Sequence, residues 1–311
     1  MKRMAFLLVV VFVMAMAIPA FAADKPLKVG FIATNFSAEA QARVAGAFEK
    51  FAKDKNWDVK LLNSMGSVET QSNQMENLYQ MKVDAVVLAM AHPQEMRPAL
   101  DKLVNAGIPV ITIDSGYVDG VVADITADNF VMGGKISTFL MDSLGGQGNI
   151  VVFKFEKHYG TRRRGKVLDV VLSEYPGIKV LAEYSVVASK RFMDDTRSAM
   201  QTYVTRFGKD IDGVWCSFDN LAYACSDVLG EHGLKDVMVV GVDGNEETFR
   251  RIRDGRMAAT VAQPFEAMAQ EAIDLVQKIV VDGMTAEEAT GGKKIIYMEA
   301  PLIDKSNVPA E

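Results

Sequence analysis

The amino-acid sequence predicts an α/β fold made of two doubly wound parallel sheets. Apolar runs of strand length recur along the 311 residues and alternate with segments in which apolar residues have helical spacing. The runs are continuously apolar, as expected for parallel strands that helices cover on both faces. The ten runs would make a large single sheet. Two halves of about five strands each fit a chain of this length better.

The predicted strands alternate with helices in both halves. In order they are KVGFIATN, WDVKLLN, DAVVLAM, IPVITID and GVVADIT, then NIVVFKF, IKVLAEYSV, GVWCSF, VMVVGVD and AATVAQ. Such a βαβ series builds a parallel sheet with helices on both faces. We place the boundary between the halves near the segment ITADNFVMGGK. Its Gly133–Gly134 pair is interpreted as a place where two helices approach each other closely.

Residues 1–22 have the pattern of a secretory signal peptide. Lys2 and Arg3 precede an apolar run, and Ala20-Phe21-Ala22 supplies the small residues of a cleavage site. The alternative is an uncleaved membrane anchor, but the apolar run, 4–18, is shorter than the about 20 residues that a spanning helix needs. The sequence therefore predicts export to the periplasm.

Composition and motifs exclude several classes of protein. The net charge is −6 and becomes more negative without the signal peptide, so nucleic acid is not an expected partner. No G-x-G-x-x-G follows a strand, and no G-x-S-x-G, C-x-x-C or H-E-x-x-H motif occurs. We therefore expect no cofactor, no metal and no enzymatic activity. Whether Cys216 and Cys225 form a disulfide stays open at this point.

Polar residues stand at the carboxyl ends of several predicted strands. Asn35, Asp114, Asp243 and Gln263 each end a strand, and ligands of open parallel sheets bind at this edge. Each residue alone could equally be the N-cap of the next helix, and Asp219 is interpreted mainly as such a cap. Gln is a poor cap, so the group as a whole favours a ligand-binding cleft.

Histidine and arginine side chains are further candidates for this cleft. His92 and His158 each follow a strand, and positions inside and outside the cleft remain equally open for both. Three arginines at 162–164 begin a helix, where consecutive residues do not share a face, so we expect at least one to point at the cleft. A guanidinium beside a carboxylate could hold several hydroxyls of one ligand.

Four segments carry a resemblance to a known family. They are GIPVITIDS, ITADNFVMGGK, RRRGKVLDVVLSEYPGIKV and DVMVVGVDGNEETFRRIRDGRMAATVAQ. Over about 28–308 the chain resembles periplasmic sugar-binding proteins of the ribose/galactose-binding type. The resemblance implies two lobes joined by a hinge of three chain crossings, near 127–128, 263–264 and 298–301. The implied lobes comprise 26–127 with 264–298, and 128–263 with 299–311.

The resemblance also implies a function. A monomer would close on a small sugar without a cofactor and deliver it to the membrane permease of an ABC transporter. The alternative is a sensory subunit that presents its closed form to a histidine kinase or a chemoreceptor. By the same resemblance, Asp114, Arg164, Asp243 and Gln263 occupy ligand-binding positions, and Phe192 occupies an aromatic position near the pocket.

Departures from the family pattern indicate a less polar ligand. Phe36 follows Asn35, but no further aromatics follow it, and the third strand ends at Met90 and is followed by His92. Ser115 stands where ribose binders have Arg, and Phe218 stands where many members have Asn. A deoxy sugar, a polyol or a furanosyl compound is therefore favoured over ribose or glucose. The complete predicted ligand-binding set is Asn35, Phe36, Met90, His92, Asp114, Ser115, His158, Arg162, Arg164, Phe192, Phe218, Asp243 and Gln263.

Overall fold

The computed structural model describes residues 25–187 and 190–310. The predicted signal peptide, 1–22, lies outside the described residues. Within the described part of the chain, none of the helices is both long enough and apolar enough to cross a membrane.

Strands and helices alternate along the chain. The strands are β1 (Lys28–Ala33), β2 (Asp58–Asn63), β3 (Ala85–Ala89), β4 (Val110–Ile113), β5 (Asp124–Ala127), β6 (Gln147–Lys154), β7 (Gly177–Ser185), β8 (Gly213–Cys216), β9 (Met238–Asp243), β10 (Ala259–Ala262), β11 (Ile295–Met298) and β12 (Leu302–Asp304). The helices are α1 (Glu39–Asp54), α2 (Val68–Gln80), α3 (Arg97–Asn105), α4 (Asn129–Ser143), α5 (Tyr159–Glu174), α6 (Phe192–Phe207), α7 (Asp219–Glu231), α8 (Glu246–Arg253), α9 (Phe265–Val276) and α10 (Ala286–Thr290). A 3-10 turn, Gly208–Asp210, follows α6, and a π-helical turn, Gln277–Val281, follows α9.

The first sheet has the order β11-β5-β4-β3-β1-β2, and its neighbouring strands are parallel. Helices cover both of its faces. On β1, Phe31 belongs to the core beneath α1 and α9, whereas its neighbour Ile32 belongs to the core beneath α2 and α3. Successive side chains of a strand point to opposite faces, which is why a continuous apolar run is needed here.

The second sheet repeats this arrangement with the order β12-β10-β9-β8-β6-β7. Its strands are parallel apart from β12, which is antiparallel to β10. Helices α4 and α5 pack together, as do α6 and α7. The predicted fold class, two parallel-sheet α/β lobes, is therefore confirmed.

Each sheet contains six strands rather than the expected five. The ten predicted strands are all present, and β11 and β12 are additional. These two are short, lie at the edges of their sheets and are only partly buried. They have four and three residues, and each lies at the opposite edge of its sheet from β2 or β7.

The chain passes between the two sheets at three places. It leaves the first sheet after β5 and enters α4, returns from β10 into α9, and leaves again between β11 and β12. Lys135 Nζ on α4 donates to the backbone carbonyl of Ala300 at 2.7 Å, which holds the third passage against the second lobe. We propose these three passages as the limits of the lobes, at the boundaries that the sequence suggested.

Gly133 lets α4 and α5 approach closely, as interpreted from the sequence. A Cβ atom at Gly133 would lie 2.8 Å from Arg164 Cα and 3.0 Å from the Arg164 carbonyl oxygen. A Cβ atom at Gly134 would meet nothing nearer than Val167 Cγ1 at 3.8 Å. Only the first of the two glycines is therefore required by packing.

Gly133→Ala should lower the free energy of unfolding by about 1–3 kcal/mol, because the added methyl forces backbone apart. Gly134→Ala is the matched control and should raise the free energy of unfolding by about 0.5–1 kcal/mol, the usual gain for Gly to Ala inside a helix. Urea unfolding of the chain without residues 1–22 measures both. Equal stability of the two variants would contradict this account of the helix contact.

Candidate ligand-binding site

A cavity of about 80 Å³ lies between the carboxyl ends of the strands of the two lobes. This volume holds several water molecules and therefore suits a small ligand. Predicted residues that line the cavity are Asn35, Met90, His92, Asp114, His158, Arg164, Phe192, Phe218, Asp243 and Gln263. Further lining residues, which the sequence did not suggest, are Thr34, Ala38, Ala40, Gln41, Phe155, Thr161 and Val186.

Three strands deliver their side chains to the cavity through unusual backbone conformations. Met90 follows β3 with φ 49°, Asp114 follows β4 with φ 45°, and Asp243 ends β9 with φ 146°. Non-glycine residues rarely adopt positive φ, and such strain is found preferentially at functional sites. Sheet hydrogen bonds hold two of these turns, from Met90 N to Ile113 O at 2.8 Å and from Asp114 N to Ile125 O at 2.9 Å.

Arg164 lies at the centre of the polar half of the cavity and is 1% exposed. Its Nε donates to Asn129 Oδ1 and its Nη1 donates to the carbonyl of Ser217, both at 2.8 Å. These bonds fix the guanidinium between two carboxylates. Arg164 Nη2 is 3.9 Å from Asp114 Oδ2, and Nη1 is 3.8 Å from Asp243 Oδ1. Both distances exceed a direct hydrogen bond, so donor capacity remains for a ligand.

Asp114 is the carboxylate that the first lobe supplies. Its Oδ1 accepts hydrogen bonds from Thr126 Oγ1 at 2.8 Å and from Asn129 Nδ2 at 3.0 Å. Burial alone would raise the pKa of Asp114, but the neighbouring His158 imidazole, the Arg164 guanidinium and these two donors together outweigh it and hold the pKa below its ordinary value. Asp114 is therefore ionised at neutral pH.

Asp243 is the carboxyl group of the second lobe and has the opposite protonation behaviour. Burial raises the pKa of Asp243 to about 8, because Arg164 and Gln263 compensate the lost hydration only in part. At neutral pH Asp243 is thus largely protonated, and Arg164 is balanced by one negative charge, that of Asp114. The centre of the cavity has almost no net charge.

Gln263 offers a free acceptor to the cavity. Its Nε2 donates to Asp243 Oδ1 at 3.1 Å. Its buried Oε1 has no hydrogen-bond partner among the described residues. A buried polar atom without a partner costs about 1–3 kcal/mol, so this oxygen is an expected contact for a ligand hydroxyl.

His158 is neutral and connects the lobes. Its Nε2 donates to the backbone carbonyl of Asp114 at 2.9 Å, and its Nδ1 accepts from Gly160 N at 3.3 Å, which caps α5. Burial lowers the pKa of His158 to about 4. His92 lies edge-on to His158 with ring centroids 6.2 Å apart, and burial lowers its pKa as well.

Aromatic side chains form a continuous apolar wall. The Phe218 ring lies 5.6 Å from the Phe192 ring and 6.3 Å from the Phe155 ring, measured between centroids. Met90 and Val186 extend the apolar lining. The cavity therefore combines a hydrogen-bonding half with an apolar half.

Three residues of the predicted set do not line the cavity. Phe36 packs against the core of the first lobe. The Ser115 hydroxyl accepts from Ala91 N at 2.9 Å and lies 2.9 Å from the carbonyl of Ile113, so the sheet edge uses it. Arg162 donates to the carbonyl of Glu156 at 2.9 Å on the outside. It lies two residues before Arg164 on α5, and such residues face different directions.

Asp219 is not the cap of its own helix, contrary to the interpretation from sequence. It is the first residue of α7, and its buried carboxylate binds the turn after β9. Its Oδ2 accepts from Gly244 N at 2.9 Å and from Thr248 Oγ1 at 2.6 Å, and its Oδ1 accepts from Thr260 Oγ1 at 2.8 Å. Asp219 thereby positions the backbone that follows Asp243.

Two of the unpredicted lining residues have a signal in the sequence. Thr161 lies three residues before Arg164 and therefore shares its helix face, and its hydroxyl donates to the carbonyl of Phe155. Thr34 precedes Asn35 at the end of β1, and its hydroxyl donates to the carbonyl of Met90 at 2.6 Å. Gln41 has no such signal; its Oε1 accepts from Asn35 N at 2.6 Å.

The lobes contact each other directly beside the cavity. Arg43 on α1 donates to the carbonyl of Gly244 at 2.9 Å and to Asn245 Oδ1 at 3.0 Å. Glu266 on α9 orients this guanidinium through two hydrogen bonds of 2.9 and 3.0 Å. Tyr159 on α5 donates to Asp124 Oδ2 of the first lobe at 3.1 Å. These contacts describe a closed form.

Cys216 and Cys225 are free thiols in this structure. Both are buried, and their sulfur atoms lie 4.0 Å apart. The described residues also contain no cluster of three His, Cys, Asp or Glu side chains that could hold a metal ion.

Two lobes, three chain passages between them and a cavity at their junction are the architecture of a protein that binds a small ligand between two lobes. The chain belongs to the periplasmic binding protein family, because the family's periplasmic binding protein domain matches residues 29–283. The resemblance seen in the sequence is thereby confirmed.

Individual relatives agree with this assignment. The xylitol-binding protein of Mycolicibacterium smegmatis is 29% identical over 69% of this chain and 61% of its own length. The ribose import binding protein of Bacillus subtilis is 27% identical over 82% of this chain and 79% of its own. These relatives are named for ligand binding, which agrees with the expectation that the chain is not an enzyme.

A solved structure shows the same fold. The periplasmic binding component of an arabinose ABC transporter from Shewanella, bound to α- and β-L-arabinofuranose, superimposes with a TM-score of 0.81 at 22% identity. The superposition covers 90% of this chain and 92% of that one.

Arg164→Ala should lower the free energy of unfolding by about 3 kcal/mol or more, because the buried Asp114 carboxylate loses its countercharge and Asn129 loses a donor. Arg162→Ala is the matched control on the same helix and should change it by at most about 0.5 kcal/mol. Urea unfolding at pH 7 compares the two. Similar losses in both variants would show that the buried guanidinium does not hold the site together.

Proposed function

We propose that this protein captures a small neutral sugar or polyol outside the cytoplasm and delivers it to the permease of an ABC transporter. One observation carries the proposal: the cavity takes hydrogen-bonding groups from both lobes. Asp114 comes from the first lobe, and Arg164, Asp243 and Gln263 come from the second. A ligand that bonds to both sets favours the closed form over the open one, which is the requirement for closure by binding.

The polar half of the cavity matches the chemistry of hydroxyl groups. A hydroxyl donates one hydrogen bond and accepts others. The Asp114 carboxylate and Gln263 Oε1 are acceptors, whereas Arg164 and protonated Asp243 are donors. A charged ligand is disfavoured, because the one positive and one negative side chain at the centre already neutralise each other.

The apolar half supports the finer part of the proposal. Met90, Phe155, Phe192, Phe218 and Val186 offer no hydrogen bond to a hydroxyl. A ligand with hydroxyls on every carbon would leave some of them unpaired against this wall, at a cost of about 1–3 kcal/mol each. This argument favours a deoxy sugar over ribose or glucose, and we keep a polyol and a furanosyl compound in the proposed ligand class. The relative named for xylitol supports a polyol.

A thermal-shift panel tests the proposed ligand class. The chain without residues 1–22 is unfolded and refolded to remove carried-over ligand. It is then mixed separately with xylitol, D-ribose, L-arabinose, 5-methylthioribose, D-glucose, nucleosides and amino acids. A ligand present at a thousand times its Kd adds about 4 kcal/mol to stability, which raises Tm by several degrees. Shifts only with amino acids or nucleosides would overturn the proposal.

Gln263→Leu should raise the Kd for the compound with the largest shift about tenfold or more, because a hydrogen bond worth about 1–3 kcal/mol is lost. Leu keeps approximately the volume of Gln, so the cavity is not opened. Arg162→Ala should leave Kd unchanged, since Arg162 lies outside the cavity. Calorimetric titration gives both constants. An unaltered Kd in Gln263→Leu would remove this residue from the site.

A further inference from the structure

A chain of hydrogen bonds crosses between the lobes outside the cavity. Glu39 at the start of α1 lies in the first lobe, and its Oε2 is 3.0 Å from the hydroxyl of Tyr223 on α7. This hydroxyl is 2.7 Å from Thr248 Oγ1 on α8, and Thr248 Oγ1 is 2.6 Å from Asp219 Oδ2. This series of hydrogen bonds, called the hydrogen-bond chain below, runs from the carboxyl group of Glu39 through two hydroxyls to the carboxyl group of Asp219.

These three short contacts need three hydrogen atoms, but the two hydroxyls supply only two. If both carboxyl groups are ionised, Tyr223 donates to Glu39 and Thr248 donates to Asp219. The two hydroxyl oxygens, 2.7 Å apart, then face each other with no hydrogen between them. One added proton, on either carboxyl group, completes the chain. The closed geometry therefore calls for one added proton, and this requirement disappears when the contact between Glu39 and Tyr223 is broken in the open form.

We propose that Glu39 is a positioning residue for ligand capture, and that it joins the lobes through one proton shared with Asp219 over Tyr223 and Thr248. Closure on a ligand therefore takes up a proton at this contact. The inference rests on the proposed function, because it requires that ligand binding closes the lobes. It concerns a contact outside the cavity, because none of these four residues lines the cavity.

The groups around this hydrogen-bond chain favour the shared proton. Burial raises the pKa of Glu39, even though the hydrogen bond from Tyr223 and the charge of Arg43 oppose it, and Glu247 on α8 adds negative potential. Burial raises the pKa of Asp219 to about 6. Arg251 lies against the ring of Tyr223, 4.8 Å from its centroid.

The contact is coupled to the ligand site through backbone. Asp219 binds Gly244 N and Asn245 N, the two residues after Asp243. Arg43, four residues after Glu39 on α1, holds the same turn through the carbonyl of Gly244. Asp219 and this turn belong to the same lobe, whereas Arg43 belongs to the first lobe, so opening the lobes releases one of the two supports of the turn that presents Asp243 to the cavity.

The sign of the pH dependence follows from the two forms. In the open form Glu39 is expected near its ordinary pKa of about 4.3, and in the closed form its pKa is raised. The stabilisation of the closed form is complete below the open-form pKa and is lost as the pH rises through the closed-form pKa. Between the open-form and closed-form pKa values of Glu39, the Kd for the ligand rises by up to about tenfold for each pH unit.

The experiment compares the wild type with Glu39→Gln, whose amide supplies the missing hydrogen at every pH. Xylitol and D-ribose are titrated calorimetrically at pH 5.2, in two buffers with different ionisation enthalpies, and again at pH 7.5. At pH 5.2 the wild type should take up more protons per bound molecule than Glu39→Gln. The ratio of the wild-type Kd to the variant Kd should rise several-fold from pH 5.2 to 7.5. Asp124 and Asp243 titrate in both proteins and cancel in the comparison, whereas Asp219, whose pKa burial raises to about 6, shares the proton and contributes to the measured difference.

A second variant separates proton sharing from a merely structural role. Tyr223→Phe removes the hydroxyl that links Glu39 to Thr248. This variant should bind the ligand more weakly at pH 5.2 and should not show the additional proton uptake of the wild type. If Glu39 has only a structural role, the ratio of wild-type to variant Kd is the same at both pH values and proton uptake does not differ. That result overturns the inference while leaving the proposed function intact.

If neither compound binds, the proposed ligand class is in error, and small-angle X-ray scattering of the ligand-free proteins tests the inference alone. The wild type should be more compact at pH 5.2 than at pH 7.5, and Glu39→Gln should be equally compact at both. If the radius of gyration of the wild type is the same at both pH values, the inference is overturned.

Discussion

The buried guanidinium of Arg164 is the interaction on which the rest of the cavity depends. It is the positive charge between a carboxyl group of each lobe, and its position is fixed by Asn129 and by the backbone of Ser217. Arg164 lowers the pKa of both carboxyl groups, whereas burial and the charges of Asp219 and Asp114 raise that of Asp243, so that Asp114 ionises and Asp243 keeps a proton. The closeness of α4 and α5 that Gly133 permits is what places Arg164 at this depth.

Pairing of buried polar groups also matters where the lobes contact each other, for example between Arg43 and Gly244 and between Tyr159 and Asp124. Buried polar groups are stabilising only when they are paired, and here the pairing partner lies on the other lobe. Opening the protein exposes these groups to water, which also satisfies them, so neither form carries a large penalty. Binding of a small ligand can then shift the equilibrium between the open and closed forms, because their free energies differ by little.

Much of the fold and part of the site follow from the sequence. Buried parallel strands have continuous apolar runs, so the central strands were recognisable, whereas β11 and β12 at the sheet edges were not. Asp114, Asp243 and Gln263 stand at strand ends, and this position alone suggested a cleft. Arg164 was distinguished from its neighbours by resemblance, and helix geometry explains why Arg162 points elsewhere.

Other parts of the site depend on tertiary contacts that no local pattern reveals. The hydroxyl of Ser115 is used by neighbouring backbone groups, although Asp114 beside it reaches the cavity. Asp219 supports a turn that lies more than twenty residues further along the chain. The protonation of Asp243 depends on burial and on charges from three separate elements, so its sequence neighbours give no indication of it.

The threefold passage of the chain between the lobes has a consequence for biogenesis. The first lobe needs α9 and β11, which are encoded after the entire second sheet apart from β12. During synthesis and export the amino-terminal segment therefore emerges long before its own sheet can be completed. The second lobe, nearly continuous in sequence, has the lower loop-closure cost and should form first. The order of folding is then the reverse of the order of emergence, and a chain truncated before residue 295 would lack an edge strand in each lobe.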